Sequence, residues 1–302
     1  MCVYEKYMNY GTAHTQRYYE FELDSLSASS TATGDNTAEN WPLFRIGGKS
    51  PLKNIASVKV LEAQIPFSYY VFNSTNNTFI LNESAPVAPH LVTIPEGNYT
   101  ITEFVAALKL ALDTSGGAGV YTVAYSSVTM KLSIDTTQVF NFDFGTNTYT
   151  SPHQEMGFPI GVSQSGAGNI LTSFAIMVTG PNYLYVNSTR LGSLIELYLP
   201  ASGNSTVRSG NDGPQIAKIP VTAQPGGVMY WQDPDPMKWF NLENLASLSE
   251  IDFYLTLGSN PRPIDFNGQG FSLKIGVIEN AASTQDFQHN GDEKILKRFR
   301  AL

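Results

Sequence analysis

The side chains able to do chemistry in this 302-residue chain are few and scattered. Its four histidines are His14, His90, His153 and His289, none with a second His or Cys at metal-ligand spacing. His153-Gln-Glu155 lacks the helix and the second histidine of a zinc-protease motif. There is no Gly-x-Ser-x-Gly, no phosphate-cradling glycine loop with Lys-Ser/Thr and no dinucleotide fingerprint. Gly166-Ala-Gly168 lies in a Gly/Ser loop rather than between a strand and a helix. The densest acidic group is Asp233-Pro-Asp235-Pro with Glu243 nearby. Such carboxylates suit a calcium ion or an acid/base pair, whereas prolines at alternate positions favour a rigid loop. Trp231, Trp239 and Phe240 flank the group, either as a sugar-stacking platform or as core or subunit-interface aromatics. We assign no catalytic, cofactor-binding or metal residues and expect no enzyme activity. Trp231, Trp239, Phe240, Asp233 and Asp235 are taken as a subunit-interface or surface platform.

Composition narrows the class. The formal charge is −8 and only 15% of residues are charged, with polarity supplied by Asn, Ser, Thr and Gln. That acidic balance argues against a general nucleic-acid binder. The single cysteine, Cys2, excludes an intramolecular disulfide framework. No 18-residue apolar stretch predicts a membrane span, and the first residues lack the basic and apolar regions of a signal peptide. Six Asn-x-Ser/Thr sequons begin at Asn73, Asn76, Asn82, Asn98, Asn187 and Asn204, and we read them as accidents of composition.

The elements that would position these residues are strands. Ile251, Phe253, Leu255 and Leu257 alternate with polar residues, as do Phe271, Leu273, Ile275 and Val277, which predicts strands with one face buried and the other wet or at an interface. Residues 258–270 between them form a Pro/Gly-rich loop. Residues 55–65 form a strand whose apolar phase slips between Val60 and Leu61, the mark of a β-bulge. Further strands are expected at 78–81, 90–94, 120–125, 128–134, 140–144, 174–178, 183–186, 195–199, 216–221 and 228–232. The one convincing helix has Thr100 as N-cap, Glu103 completing a capping box, and Tyr99 and Phe104 as a hydrophobic staple. The organisation expected is an N-terminal arm over 1–40, a discontinuous sandwich over 41–75 and 160–280, an α+β insertion over 76–159 and a basic tail over 281–302. About eight sandwich strands fit a jelly roll, mainly β and antiparallel. In the tail, Lys294, Lys297, Arg298 and Arg300 against Asp292 and Glu293 leave a local +2.

Five stretches appear in a telling order. They are the bulged strand ending Gln64-Ile-Pro66, the block from Ile94 to Phe104, Met156-Gly-Phe158, the block from Asn182 to Leu191, and Leu248 to Glu279 with Asp265-Phe-Asn-Gly268 before the last strand. In these the chain resembles the pentons of virophages and Polinton-like viruses, those of the Mavirus type in particular, over roughly residues 50–280. The resemblance implies a single jelly roll, five copies closing a ring at each vertex of an icosahedral capsid, an outward-projecting insertion and inward-facing termini. It implies as partners further copies of the chain and the major capsid protein, and brings no catalytic residues. Contacts of the insertion with a host receptor and of the basic tail with the genome would follow from that arrangement. A receptor- or carbohydrate-binding β-sandwich, of the fibre or lectin kind, is the alternative. The expected location is the virion, after assembly inside the host cell.

Overall fold

The computed structural model describes residues 3–10, 14–28, 30–33, 40–46, 51–84, 89–147, 149–192, 215–235, 239–258, 260 and 262–280. Two compact units divide the chain, Met1–Ser68 with Tyr183–Leu302, and Tyr69–Asn182. The first unit opens with β1 (Val3–Tyr10), β2 (His14–Asp24), β3 (Ser30–Thr33), β4 (Asn40–Arg45) and β5 (Leu52–Pro66). The second contains β6 (Thr78–Glu83), β7 (Pro89–Thr93), α1 (Ile101–Thr114), β8 (Thr122–Ser126), β9 (Lys131–Asp135), β10 (Phe140–Asp143), β11 (Val162–Gln164) and β12 (Ile170–Ala175). The first unit resumes with β13 (Tyr183–Asn187), α2 (Thr189–Gly192), β14 (Gln215–Pro220), β15 (Val228–Gln232), β16 (Phe240–Leu248), β17 (Glu250–Asp252), β18 (Tyr254–Leu257) and β19 (Ser272–Asn280).

The order of strands in the first unit is that of a jelly roll. One sheet runs β1-β2-β19-β5, with β15 and β16 end to end along the far edge of β5. In the other, β4 pairs with β17 and β13 lies between β18 and β14, while β3 extends the outer edge of β4. Only Phe253 separates β17 from β18, so they form one kinked strand. Counting β15/β16 and β17/β18 once each, the eight strands are β2, β4, β5, β13, β14, β15/β16, β17/β18 and β19. The sheets then read 1-8-3-6 and 2-7-4-5, two interlocked Greek keys. The second unit enters between the third and fourth of these strands.

Period-two alternation builds the core. Phe21, Leu23, Val58, Val60, Leu273, Ile275 and Val277 are buried from the first sheet, and Leu184, Val186, Ile219, Ile251, Phe253 and Leu255 from the second. The slip expected beside Leu61 is present: Lys274 pairs with Glu62 but Ile275 with Val60, so Leu61 is the extra residue of a bulge. The bulge moves the inward set from Val58 and Val60 to Ala63 and Ile65.

Three expectations are corrected. Residues 14–24, read as part of an arm, pair along nine residues of β19 and bury Phe21 and Leu23, because Phe21, Leu23 and Tyr19 share one phase. Residues 250–257 do not keep one wet face: Asp252, Tyr254 and Thr256 are buried as well. The unit boundary falls at residues 69 and 182 rather than 76 and 159, because the flanking segments pack with the second body. The expected strand at 195–199 and the tail at 281–302 lie outside the described residues.

The second unit has a four-stranded sheet, β11-β10-β6-β7, and a three-stranded one, β12-β9-β8. Phe79, Phe140, Phe142, Phe144 and Phe158 interlock as an aromatic core with ring centres 4.8–6.1 Å apart. Helix α1 begins as expected: Thr100 Oγ1 accepts from Glu103 N, and the Glu103 carboxylate accepts from Thr100 N at 2.9 Å. Tyr99 and Phe104 meet with ring centres 6.1 Å apart. The expected strand at 128–134 starts only at Lys131. Residues 127–130 are a turn closed by Met130 N on Ser126 O, which leaves Val128 91% exposed. Similarly, Phe174 is exposed at the end of β12, where Ser173 turns inward and its hydroxyl accepts from Leu132 N.

Residues 69–182 are continuous in sequence and own an aromatic core, so this segment expressed alone is expected to show a cooperative thermal transition with dispersed amide NMR signals. Collapsed, undispersed spectra contradict the two-unit division. Phe253→Ala in the full chain is expected to cost about 3–5 kcal/mol in denaturant melts.

Candidate functional site

The acidic loop and the tryptophans meet at a break in the sixth strand. Gln232 pairs with Glu62 and Phe240 with Val58, so seven residues separate the two ladders on this side and three on β5. Pro234 has no N–H to give a neighbouring strand, and the ladder ends beside it. Asp233 N still reaches the carbonyl of the bulge residue Leu61 at 2.9 Å, and Asp235 N closes on Asp233 Oδ1 at 2.9 Å.

Lys59 pins this excursion. Its side chain is 2% exposed; its ammonium lies 3.0 Å from Asp233 Oδ2 and donates to the carbonyl of Asp235. The Trp239 ring centre is 6.0 Å from Nζ, and Tyr18 meets that ring edge-on at 5.9 Å. Gly276 makes room, since a Cβ there would approach Trp239 Cη2 to 2.8 Å. From Tyr18 a chain of charge crosses the same face. The Tyr18 hydroxyl donates to Glu20 Oε1 at 2.9 Å, and Lys274 Nζ lies 3.0 Å from Glu20 and 3.7 Å from Glu62. Burial, then Glu20, pushes the Tyr18 hydroxyl up, and the hydrogen bond to Glu20 raises Lys274.

The structure therefore brings Asp233, Asp235 and Trp239 together on the outer face of the sheet. Trp231 does not join them. It pairs with the inward Ala63, in phase with buried Met229, and so points to the opposite face. Phe240 and Glu243 are described only by backbone, in β16. Lys294, Lys297, Arg298 and Arg300 lie outside the described residues. Among the described residues no group of three or more His, Cys, Asp or Glu could hold a metal ion, and no helix is long and apolar enough to cross a membrane.

Two buried carboxylates escape sequence reading. Asp252 is fully buried and accepts from Ser188 Oγ (3.0 Å), Thr189 N (3.0 Å), Thr189 Oγ1 (2.6 Å) and Arg190 N (2.9 Å). It ties the start of α2 to β17, and Arg190 and Arg45 flank Glu250 beside it. Its strand alternation suggests a wet position; the nearest clue is the Ser188-Thr-Arg190 knuckle, a run of donors awaiting an acid. In the second unit Glu83 is 3% exposed and accepts from Ala118 N (2.7 Å), Gly119 N (3.0 Å) and the Tyr121 hydroxyl (2.7 Å). A Cβ at Gly117 or Gly119 would meet its carboxylate at 2.7–2.8 Å, so these two glycines after α1 cradle Glu83. Burial alone would raise Glu83; the Tyr121 and backbone donors, with His90, outweigh it and hold the carboxyl below its ordinary value.

His153 and four of the sequon asparagines take structural places. His153 is 4% exposed and lies 3.1 Å from Ser151 Oγ, and burial holds its imidazole below the ordinary histidine value. Asn76 donates to Val71 O, Asn98 to Tyr69 O, Asn82 to Asn141 and Asn187 to Thr256, so these sequon amides are committed to the fold.

No known family model and no curated protein matches the chain. Solved structures do. One is the crystal structure of the mavirus penton protein, with TM-score 0.45 and 12% identity over 87% of this chain and 99% of that one. A second is the Sputnik virophage structure, with TM-score 0.38 and 12% identity over 86% and 98%. The likeness is one of general outline, and the fold assignment rests on the strand order itself.

Lys59→Ala leaves Asp233 without its cation and the Asp235 carbonyl without its donor. It is expected to cost about 3 kcal/mol in a denaturant melt, with Lys59→Met/Asp233→Asn recovering part of the loss. Equal stability of Lys59→Ala and wild type contradicts the pin. In the second unit pH separates two carboxyls. Glu83, depressed when folded, stabilises above its ordinary value of 4.5, and that contribution disappears as pH falls through its folded pKa. Glu155, pushed up to about 7 by burial, acts in reverse: stability falls as pH rises from 4.5 to 7. Tyr121→Phe is expected to move acid unfolding of the segment to higher pH, and Glu155→Gln to raise its stability at pH 8 but not at pH 4, by about 2 kcal/mol.

Proposed function

We propose that the chain is a structural capsid protein, a penton that closes the five-fold vertices of an icosahedral capsid as a homopentamer. The observation that carries the reading is the eight-strand jelly-roll order with a self-contained α+β unit between the third and fourth strands. It joins the order of motifs by which the sequence resembles virophage pentons. Those motifs turn out to be fixtures of the fold. Gln64 to Pro66 takes the β15 ladder, Thr100 and Glu103 cap α1, Ser188 to Arg190 grips Asp252, and Asn267 grips Ser68.

Five-fold closure needs two different, matching flanks on each subunit. The outer face bearing Trp239, Tyr18, Glu20, Lys274 and Glu62 offers a polar, pre-ordered surface of the kind found in such contacts, and we assign Asp233, Asp235 and Trp239 to it. The partners proposed are further copies of the chain and the major capsid protein, with the 69–182 unit available for contact with a host surface. The fibre or lectin reading would need a shared aromatic platform, and Trp231 and Trp239 sit on opposite faces.

Light scattering and negative-stain imaging test this. A particle of about 165 kDa, five times 33.0 kDa, with ring-shaped views is expected, alone or with the major capsid protein. A chain that stays monomeric under both conditions contradicts the reading.

A further inference from the structure

The loop between β18 and β19 carries a chemical feature that the fold has put to use. Asn267 and Gly268 both have positive φ, 51° and 78°, and form the centre of a turn closed by Gln269 N on Phe266 O at 3.1 Å. Asn267 is exposed, and a Cβ at Gly268 would touch nothing within 4 Å, so the peptide nitrogen between them is unhindered. The Asn267 side chain is nevertheless held: Nδ2 donates to the carbonyl of Ser68 at 2.6 Å. Ser68 answers by donating its hydroxyl to Phe266 O at 2.6 Å. Ser68 is the last residue of the first unit before the chain enters the second. The turn therefore latches the chain where it leaves the jelly roll.

We infer that Asn267-Gly268 is a site of spontaneous succinimide formation, and that the reaction irreversibly releases the Ser68 latch. The Gly268 nitrogen, losing its proton, attacks Asn267 Cγ; the Cγ–Nδ2 bond breaks and Nδ2 leaves as ammonia. Water then opens the imide to aspartate or isoaspartate. Nothing is oxidised or reduced, and water is the only co-reactant. The leaving nitrogen is the latch atom itself. An amide donates two hydrogens and an ionised carboxylate donates none, so the product sets two acceptors, one of them charged, against the Ser68 carbonyl. Cyclisation requires Nδ2 to leave Ser68 first, so the latch slows the reaction to the rate at which the turn opens. The result is a one-way clock on the crossing at Ser68, independent of the capsid reading.

The test follows the intact full-length chain for weeks at 37 °C in neutral buffer, with a peptide spanning residues 263–272 alongside. Peptide mapping reads the one-dalton gain and an isoaspartate assay reads the isomer. Chymotrypsin cleavage after Tyr69 and Tyr70 reads the latch. Conversion at Asn267 that is slower than in the peptide is expected, with cleavage rising in step with it. Asn267→Asp, whose side chain tolerates a positive φ and keeps the turn, should raise cleavage roughly tenfold at once, as loss of one hydrogen bond implies. No conversion while the peptide converts, conversion as fast as in the peptide, or an Asn267→Asp chain cleaved no faster than wild type would each overturn the inference.

Discussion

The structure depends on the last strand. β19 lies between β2 and β5, so the first and third strands of the jelly roll have no common ladder until the C-terminal strand arrives. Its inward row, Leu273, Ile275 and Val277, is also the centre of that sheet's core. Pairing across more than two hundred residues is slow, because chain entropy is lost before the contacts form. The second unit can form meanwhile, since its strands pair within residues 78–175.

The long strand β5 carries a second constraint. A bulge at Leu61 and a proline-broken partner strand fall at the same level of the sheet, and Lys59 fills the gap between them. A buried ammonium is costly unless its charge and hydrogen bonds are answered, and Asp233, the Asp235 carbonyl and Trp239 answer it. The side chains that look most like an acidic site from their spacing therefore act as the lysine's partners. Asp252 and Glu83 follow the same rule with opposite sign: each buried acid accepts from backbone and hydroxyl donors.

Much of this is legible in residue order. Alternation reveals β5, β19 and the 250–257 strand, the phase slip reveals the Leu61 bulge, and Thr100 with Glu103 reveals α1. What alternation misses is the second face of a strand. Asp252 and Thr256 read as wet because the pattern reports polarity, and polarity cannot distinguish water from Ser188 or Asn187 as the partner. The N-terminal strand β2 is obscured because its burial comes from β19, some 250 residues away. Residues 240–248 give no clean alternation because β16 shifts register against β5 between Asn241 and Leu245. Nothing in the sequence singles out Lys59; only the three-to-seven mismatch between β5 and its partner strand shows why it is buried.

The stiffness of the first sheet rests on β19 seated between β2 and β5. Native-state hydrogen exchange tests that most directly. Amides of β19 and the facing amides of β5 are expected to exchange last in the first unit, at one common rate and with the denaturant dependence of its global unfolding. Exchange of β19 well ahead of β5, with a shallow denaturant dependence, would show that the last strand opens by itself and would contradict the account.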